Sequence, residues 1–137
     1  MFILDTNFLS EMRRANKADP KVLAWAAANN FNDFFLSSIT VFELELGTLL
    51  MERRDAKQGL VLRAWLNGWV LIEFRERILA VDSAVAQCCA HLHVPNPQAE
   101  RDSFIAATAI VHGMTLVTRN VADFQSTGVS IFNPWNE

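Results

Sequence analysis

The chain has 137 residues, 51 % of them hydrophobic and 20 % charged, with a formal net charge of −3. That length suffices for one domain around one core, and the composition excludes a disordered polymer. No apolar run approaches the roughly 20 residues that a membrane-spanning helix needs.

Phe2-Ile3-Leu4 is a short apolar run and reads as a buried strand. Asp5-Thr6-Asn7 follows, three residue types that cap helices, and Phe8, Leu9 and Met12 then recur at helical spacing. Asp5 and Glu11 interrupt any charged-then-apolar leader, so no secretory signal is expected and the expected location is cytoplasmic. Asp19-Pro20 starts a second helix with proline at its first position, and Val22, Leu23, Trp25 and Ala26 supply its apolar face. Phe34–Ser37 reads as a second strand. Thr40 to Glu43 has the form of a capping box and predicts a helix through Leu50, broken at Arg53-Arg54-Asp55. Another helix is predicted over Leu60 to Leu66.

Val70-Leu71-Ile72 reads as a third strand, continued near Leu79 to Val81. Asp82-Ser83 caps a helix containing Val85, Ala86 and Leu92, and the prolines of Val94 to Pro97 make a loop. Asp102 is read as the opening residue of a helix that ends at His112-Gly113. Thr115–Thr118 is the next strand, Val121 to Phe124 a single helical turn, and Val129 to Phe132 a final strand. Short apolar strands separated by helices indicate an α/β domain with a mostly parallel sheet. No repeat or linker divides the chain, so residues 1–137 are expected to form one domain.

Open parallel sheets bind ligands at the carboxyl ends of their strands. Asp5 follows the first strand, Glu43 lies just after the second, and Asp123 lies a few residues beyond Thr118. Asp102 starts the helix that leads back into that same strand. All four acids can reach one edge. Carboxylates that converge without basic partners repel one another, and such clusters hold divalent cations. Oxygen ligands without a thiolate suit Mg²⁺ or Mn²⁺ better than zinc, as one ion or two. Such a site activates water and stabilises charge on a phosphoryl group, which points to phosphodiester cleavage. Individually, Asp5, Glu43 and Asp102 also have a purely structural reading as helix caps.

Ile3-Leu4-Asp5-Thr6-Asn7, Ser38 to Glu43 with Gly47, Asp102 to Ala107, and Leu116 to Asn120 followed by Asp123-Phe124 together resemble the PIN-domain nucleases. Within that family they are similar to the VapC-type and FitB-like toxins of bacterial toxin–antitoxin pairs. The resemblance runs from Met1 to about Pro134 and implies a three-layer α/β/α domain and a Mg²⁺- or Mn²⁺-dependent endoribonuclease. It makes Asp5, Glu43, Asp102 and Asp123 the acidic pocket, with Thr6, Asn7, Thr118 and Asn120 as supporting hydrogen-bond partners. It also implies a homodimer and a cognate antitoxin, which inserts a C-terminal segment into a groove of the toxin and binds operator DNA through its other end.

Arg13, Arg14 and Lys17 follow the first helix, and Arg53, Arg54 and Lys57 form a second basic patch. Arg13, Arg14 and Arg119 are candidate contacts for RNA phosphates. Glu45 points elsewhere on its helix and is not assigned to metal. Cys88, Cys89, His91 and His93 lack the paired spacing of zinc sites, and adjacent cysteines rarely bridge. Two rival functions remain. A haloacid-dehalogenase-type phosphohydrolase also opens with a strand and an Asp, but it needs a second Asp where Asn7 stands and a downstream lysine, and none follows Lys57. A non-catalytic module could keep the fold without the reaction, although a dead site need not keep so many repelling acids.

Overall fold

The computed structural model describes residues 1–136. In chain order the elements are β1 (Phe2–Leu4), α1 (Thr6–Arg13), α2 (Pro20–Ala28), β2 (Phe34–Ser37), α3 (Ser38–Arg54) and α4 (Ala56–Trp65). They continue with α5 (Leu71–Glu73), β3 (Ile78–Leu79), α6 (Ser83–Leu92), α7 (Glu100–His112), β4 (Thr115–Val117), α8 (Val121–Phe124) and β5 (Ile131–Phe132). The strands form one five-stranded sheet in the order β3-β2-β1-β4-β5, and every pairing is parallel.

Strand alternation sends successive side chains to opposite faces, and both faces are covered. Leu4, Leu36 and Val117 pack with Phe8 and Leu9 of α1, Val22 of α2 and Leu44 of α3 on one side. Ile3 and Leu116 pack with Ile105, Ala106 and Ala109 of α7 on the other. Through Val85, Cys89 and Ala107, α6 lies on α7. Two helices begin where the sequence places caps, at Asp19 and Asp82, each carboxylate accepting a backbone N–H in its helix's first turn; α4 starts at Ala56, ahead of the expected Leu60, because Asp55 caps it in the same way. Gly113 closes α7 at φ +65, in the left-handed region that glycine tolerates.

Three local readings are corrected. Val70-Leu71-Ile72 is helical, not a strand: Leu66, Val70 and Phe74 are fully buried at a spacing of four, while Ile72 is half exposed. The third strand is only Ile78–Leu79, registered on Leu36 and Ser37. Its approach is held by Arg77, whose guanidinium donates to the carbonyls of Phe31, Phe34 and Glu73. The Thr40–Glu43 capping box does not form. Ser37 caps α3 by accepting from Ile39 N–H at 3.0 Å, and Thr40 is buried with its hydroxyl unpartnered. Asp102 is not a cap either, since α7 starts at Glu100 after Ala99.

α3 and α4 form a close antiparallel hairpin. Gly59 permits the approach: a Cβ there would stand 2.5 Å from the Glu52 Cα. Arg63 then reaches back to α3, pairing with both oxygens of Glu45 at 2.7 and 2.8 Å and with Glu52 at 3.0 Å. This accounts for Glu45, which turns away from the sheet edge as expected. No helix among the described residues is long and apolar enough to cross a membrane.

Gly59→Ala must push backbone from backbone. It is expected to destabilise the fold by roughly 1–3 kcal/mol, the usual cost of overpacking. Gly47→Ala, on the exposed side of α3 with nothing within 4 Å of the added atom, is expected to be neutral or stabilising by up to about 1 kcal/mol. Urea unfolding of both variants checks the contrast.

Candidate active site

The register of the two central strands builds the site. Phe2, Ile3 and Leu4 of β1 stand opposite Thr115, Leu116 and Val117 of β4. One step further, Asp5 and Thr118 leave the sheet side by side, with Asp5 N–H still donating to the Val117 carbonyl at 2.9 Å. The Thr118 hydroxyl donates to Asp5 Oδ2 at 2.8 Å. It accepts in turn from Asn7 Nδ2 at 3.2 Å and from Asn120 N–H at 3.0 Å. Asp5 Oδ1 accepts from Thr6 N–H at 2.8 Å, so Asp5 also caps α1. Asn7 is pinned through its Oδ1, which accepts from Arg119 N–H at 3.4 Å, and its Nδ2 lies 3.4 Å from Asp5 Oδ2. Thr6, Asn7, Thr118 and Asn120 thus all join the hydrogen-bond network around Asp5.

Glu43 stands in the second turn of α3, and without a cap to complete its carboxylate turns to the sheet edge. Its Oε1 accepts the Thr6 hydroxyl at 2.7 Å. Asp102 lies in the first turn of α7, whose positive end favours a carboxylate. Asp5, Glu43 and Asp102, with Asn7, Arg14 and Arg119, line one open cleft of ≈ 440 Å³. Asp123 is exposed on α8 outside that lining, although its charge is felt at Asp102.

Burial dominates the electrostatics. Asp5 is 6 % exposed, and removal from water pushes its pKa up from 3.8 to about 6. The hydrogen bonds from Thr118 and Thr6 oppose that rise, and the charges of Glu43 and Asp102 add to it. Asp102 is also raised, by burial and then by Asp123 and Glu43, against a lowering by Arg101.

Among the described residues, no three acidic, histidine or cysteine side chains already stand close enough to enclose an ion by themselves. The donor set still fits a small hard cation. It consists of carboxylate oxygens that repel one another around a buried acid, and Mg²⁺ keeps most of its waters and uses only one or two carboxylates directly.

The candidate arginines divide between two places. Arg14 and Arg119 line the acid cleft, and Arg119 also stands 5.6 Å from the Trp135 ring centre. Arg13 lies instead in an adjoining cavity, 5.9 Å from the ring centre of Trp65. Arg53, Arg54 and Lys57 are exposed where α3 meets α4 and take no part in either cavity. Three contributors escaped the sequence reading. Arg101 reaches Glu43 Oε2 at 3.7 Å and stacks over Phe42. Ser10 and Glu11 line the cleft one helical turn beyond Thr6 and Asn7. The spacing of Thr6 and Ser10, four apart on α1, was the available signal.

A doubly covered parallel sheet thus brings acids to the carboxyl edge of its central strands. Residues 2–128 match the PIN domain, and the chain belongs to that family. It is 37 % identical to the toxin FitB of Neisseria gonorrhoeae across the whole of both chains. It is 35 % identical to a VapC ribonuclease of Sinorhizobium fredii over 98 % of each. The crystal structure of FitAcB from Neisseria gonorrhoeae superposes with a TM-score of 0.90 at 37 % identity, covering both chains completely.

The raised Asp5 pKa fixes a sign. The folded protein holds this proton more tightly than the unfolded chain does, so Asp5 weakens the metal-free fold as pH rises from 3.8 through about 6. In EDTA, the stability of wild type relative to Asp5→Asn is therefore expected to fall by on the order of 3 kcal/mol between pH 3.5 and pH 7.5. Urea midpoints of the pair across that range measure it, and a constant difference would refute the assignment.

Proposed function

We propose that this chain is an endoribonuclease acting as the toxin of a toxin–antitoxin pair, its residues 1–137 forming one PIN-type nuclease unit that works in the cytoplasm. The observation carrying this reading is the Asp5–Thr118–Asn7–Asn120 network, a buried carboxylate held rigidly at the sheet edge beside Glu43 and Asp102. Membership of the PIN-domain family and full-length likeness to a VapC ribonuclease and the FitB toxin support it. A haloacid-dehalogenase-type reading finds no support in that family. The non-catalytic alternative leaves a desolvated, mutually repelling acid cluster without a purpose.

In this reading Asp5, Glu43, Asp102 and Asp123 hold one or two Mg²⁺ or Mn²⁺ ions. When bound, the cation neutralises phosphate charge and acidifies a water. The chain's own residues do the positioning. Thr118 and Thr6 fix both oxygens of Asp5, and the Thr6 hydroxyl orients Glu43. Arg14 and Arg119 neutralise and place the RNA backbone at the cleft. Hydrolysis then breaks one P–O bond of the backbone while a water oxygen bonds to phosphorus. Pre-set carboxylates need no reorganisation during that step.

Two partner surfaces accompany the site. An apolar cleft of ≈ 430 Å³ between α1 and α2, with Met12, Leu23, Phe31 and Trp69 in its lining, is suited to an antitoxin's apolar segment. The solved structures of FitAcB and of FitAB bound to a DNA fragment support an antitoxin with a DNA-binding end as that partner. Along α3 and α4, Phe42, Leu49, Leu50, Leu60 and Val61 are each at least half exposed, and a second copy of the chain would cover such a face.

Asp5→Asn is expected to abolish cation-dependent cleavage of single-stranded RNA, a loss of at least about 100-fold, while remaining folded. Millimolar Mg²⁺ is expected to raise the melting temperature of wild type and not of the variant. Undiminished cleavage by the variant would remove Asp5 from the mechanism. For the assembly, sedimentation is expected to give twice the monomer mass, reverting to monomer in Leu60→Glu. A monomeric wild type would discard the dimer.

A further inference from the structure

A second cavity of ≈ 210 Å³ adjoins the acid cleft and shares Thr6, Ser10 and Glu43 with it. Its chemistry is different. Leu44 and Leu62 line it with apolar surface, and the indole of Trp65 contributes an aromatic wall. It is open at Gly47, where an added Cβ would meet nothing within 4 Å. Arg13 stands at the outer limit of cation–π contact with Trp65, 5.9 Å from the ring centre. Among the described residues it makes no ion pair. Burial and the neighbouring Arg14 both lower its pKa, so its charge gains from any electron-rich group placed beside it.

We propose that this cavity is a nucleobase subsite, taking the base of a nucleotide next to the cleaved phosphate and setting the sequence preference of the enzyme. The proposal rests on the ribonuclease reading above. Proteins read unpaired RNA by stacking splayed bases on aromatic rings and guanidinium planes and by hydrogen-bonding the base edges. Trp65 supplies the stack and Arg13 a planar cation with donors to spare. Because Thr6 and Glu43 line both cavities, a backbone phosphate in the acid cleft puts its neighbouring base at the mouth of the second. Stacking alone tolerates every base. Discrimination falls to Arg13 and the Ser10 hydroxyl, which no described hydrogen bond engages.

The binding test needs no metal. Adenosine, cytidine, guanosine and uridine, which carry no phosphate, are titrated in EDTA into ¹⁵N-labelled protein. The indole N–H signals of the tryptophans are followed, Trp65 being assigned from Trp65→Phe. The Trp65 signal is expected to move, further for some bases than for others, while that of Trp69 stays. Read from the Gly47 amide, Trp65→Ala is expected to weaken nucleoside binding roughly 5- to 100-fold, the range for losing a base–aromatic stack, and Trp65→Phe much less. Gly47→Leu fills the mouth while leaving every core side chain in place. On a randomised RNA pool it is expected to flatten the preference at one nucleotide beside the cut and to leave other positions unchanged. A Trp65 signal unmoved by all four nucleosides, including one that moves only with a protein segment, overturns the proposal. So does an unaltered preference in folded Gly47→Leu. If wild type cuts no RNA, the ribonuclease reading fails separately, and the nucleoside titration still decides the subsite.

Discussion

The parallel pairing of β1 with β4 carries the consequences of this structure. It sets Leu4 against Val117, so the residues that follow, Asp5 and Thr118, emerge together at the carboxyl edge. A slip of one residue would turn Ile3 and Leu4 to the wrong faces and separate the acid from its hydroxyl donor. The core therefore enforces the site: the alternation that buries Ile3 against α7 and Leu4 against α1 also determines where the chain releases Asp5. Thr118 is saturated there, donating once and accepting twice, which leaves Asp5 little freedom to turn. Desolvation raises the pKa of this carboxylate despite those hydrogen bonds, and a proton or a cation relieves it.

Much of this was readable from residue order, because the governing signals are local. Caps are readable at Asp5, Asp19 and Asp82, each directly before its helix, and each cap forms. The errors share a cause. Val70-Leu71-Ile72 is apolar at every position, and so short a run cannot distinguish strand from helix. What decides it is the fourfold spacing from Leu66 to Phe74, which lies outside the run. Thr40 and Glu43 match a capping box, but Ser37 sits directly at the end of β2 and caps first, releasing Glu43 for Thr6. α7 likewise starts at Glu100, two residues ahead of Asp102, with Ala99 at the cap position.

The four acids were visible as candidates, but their inequality was not. Burial, a property of the folded sheet, sets Asp5 apart, whereas Asp123 stays exposed at the rim. The arginines separate in the same way. Arg13 and Arg14 are neighbours in the chain, yet Arg13 is the last residue of α1 and Arg14 the non-helical cap beyond it, so Arg14 lines the acid cleft and Arg13 the cavity beside it. A sequence pattern records that cations are near. Only the helix's placement on the sheet says which cavity each one serves.

Net charge illustrates why sums mislead for such proteins. A total of −3 argues mildly against a nucleic-acid partner, yet it hides the local pattern, in which Asp5, Glu11, Glu43 and Asp102 share one cleft with Arg14 and Arg119. The α3–α4 hairpin completes the arrangement without contributing to the chemistry. Gly59 lets the two helices touch, and Arg63 binds Glu45 and Glu52 across them. The same contact presents Trp65 and Leu62 beside Glu43 and Gly47. A packing glycine and an ion triad on the outer helices thus bear on the cavity beside the acid cleft through the wall they hold in place.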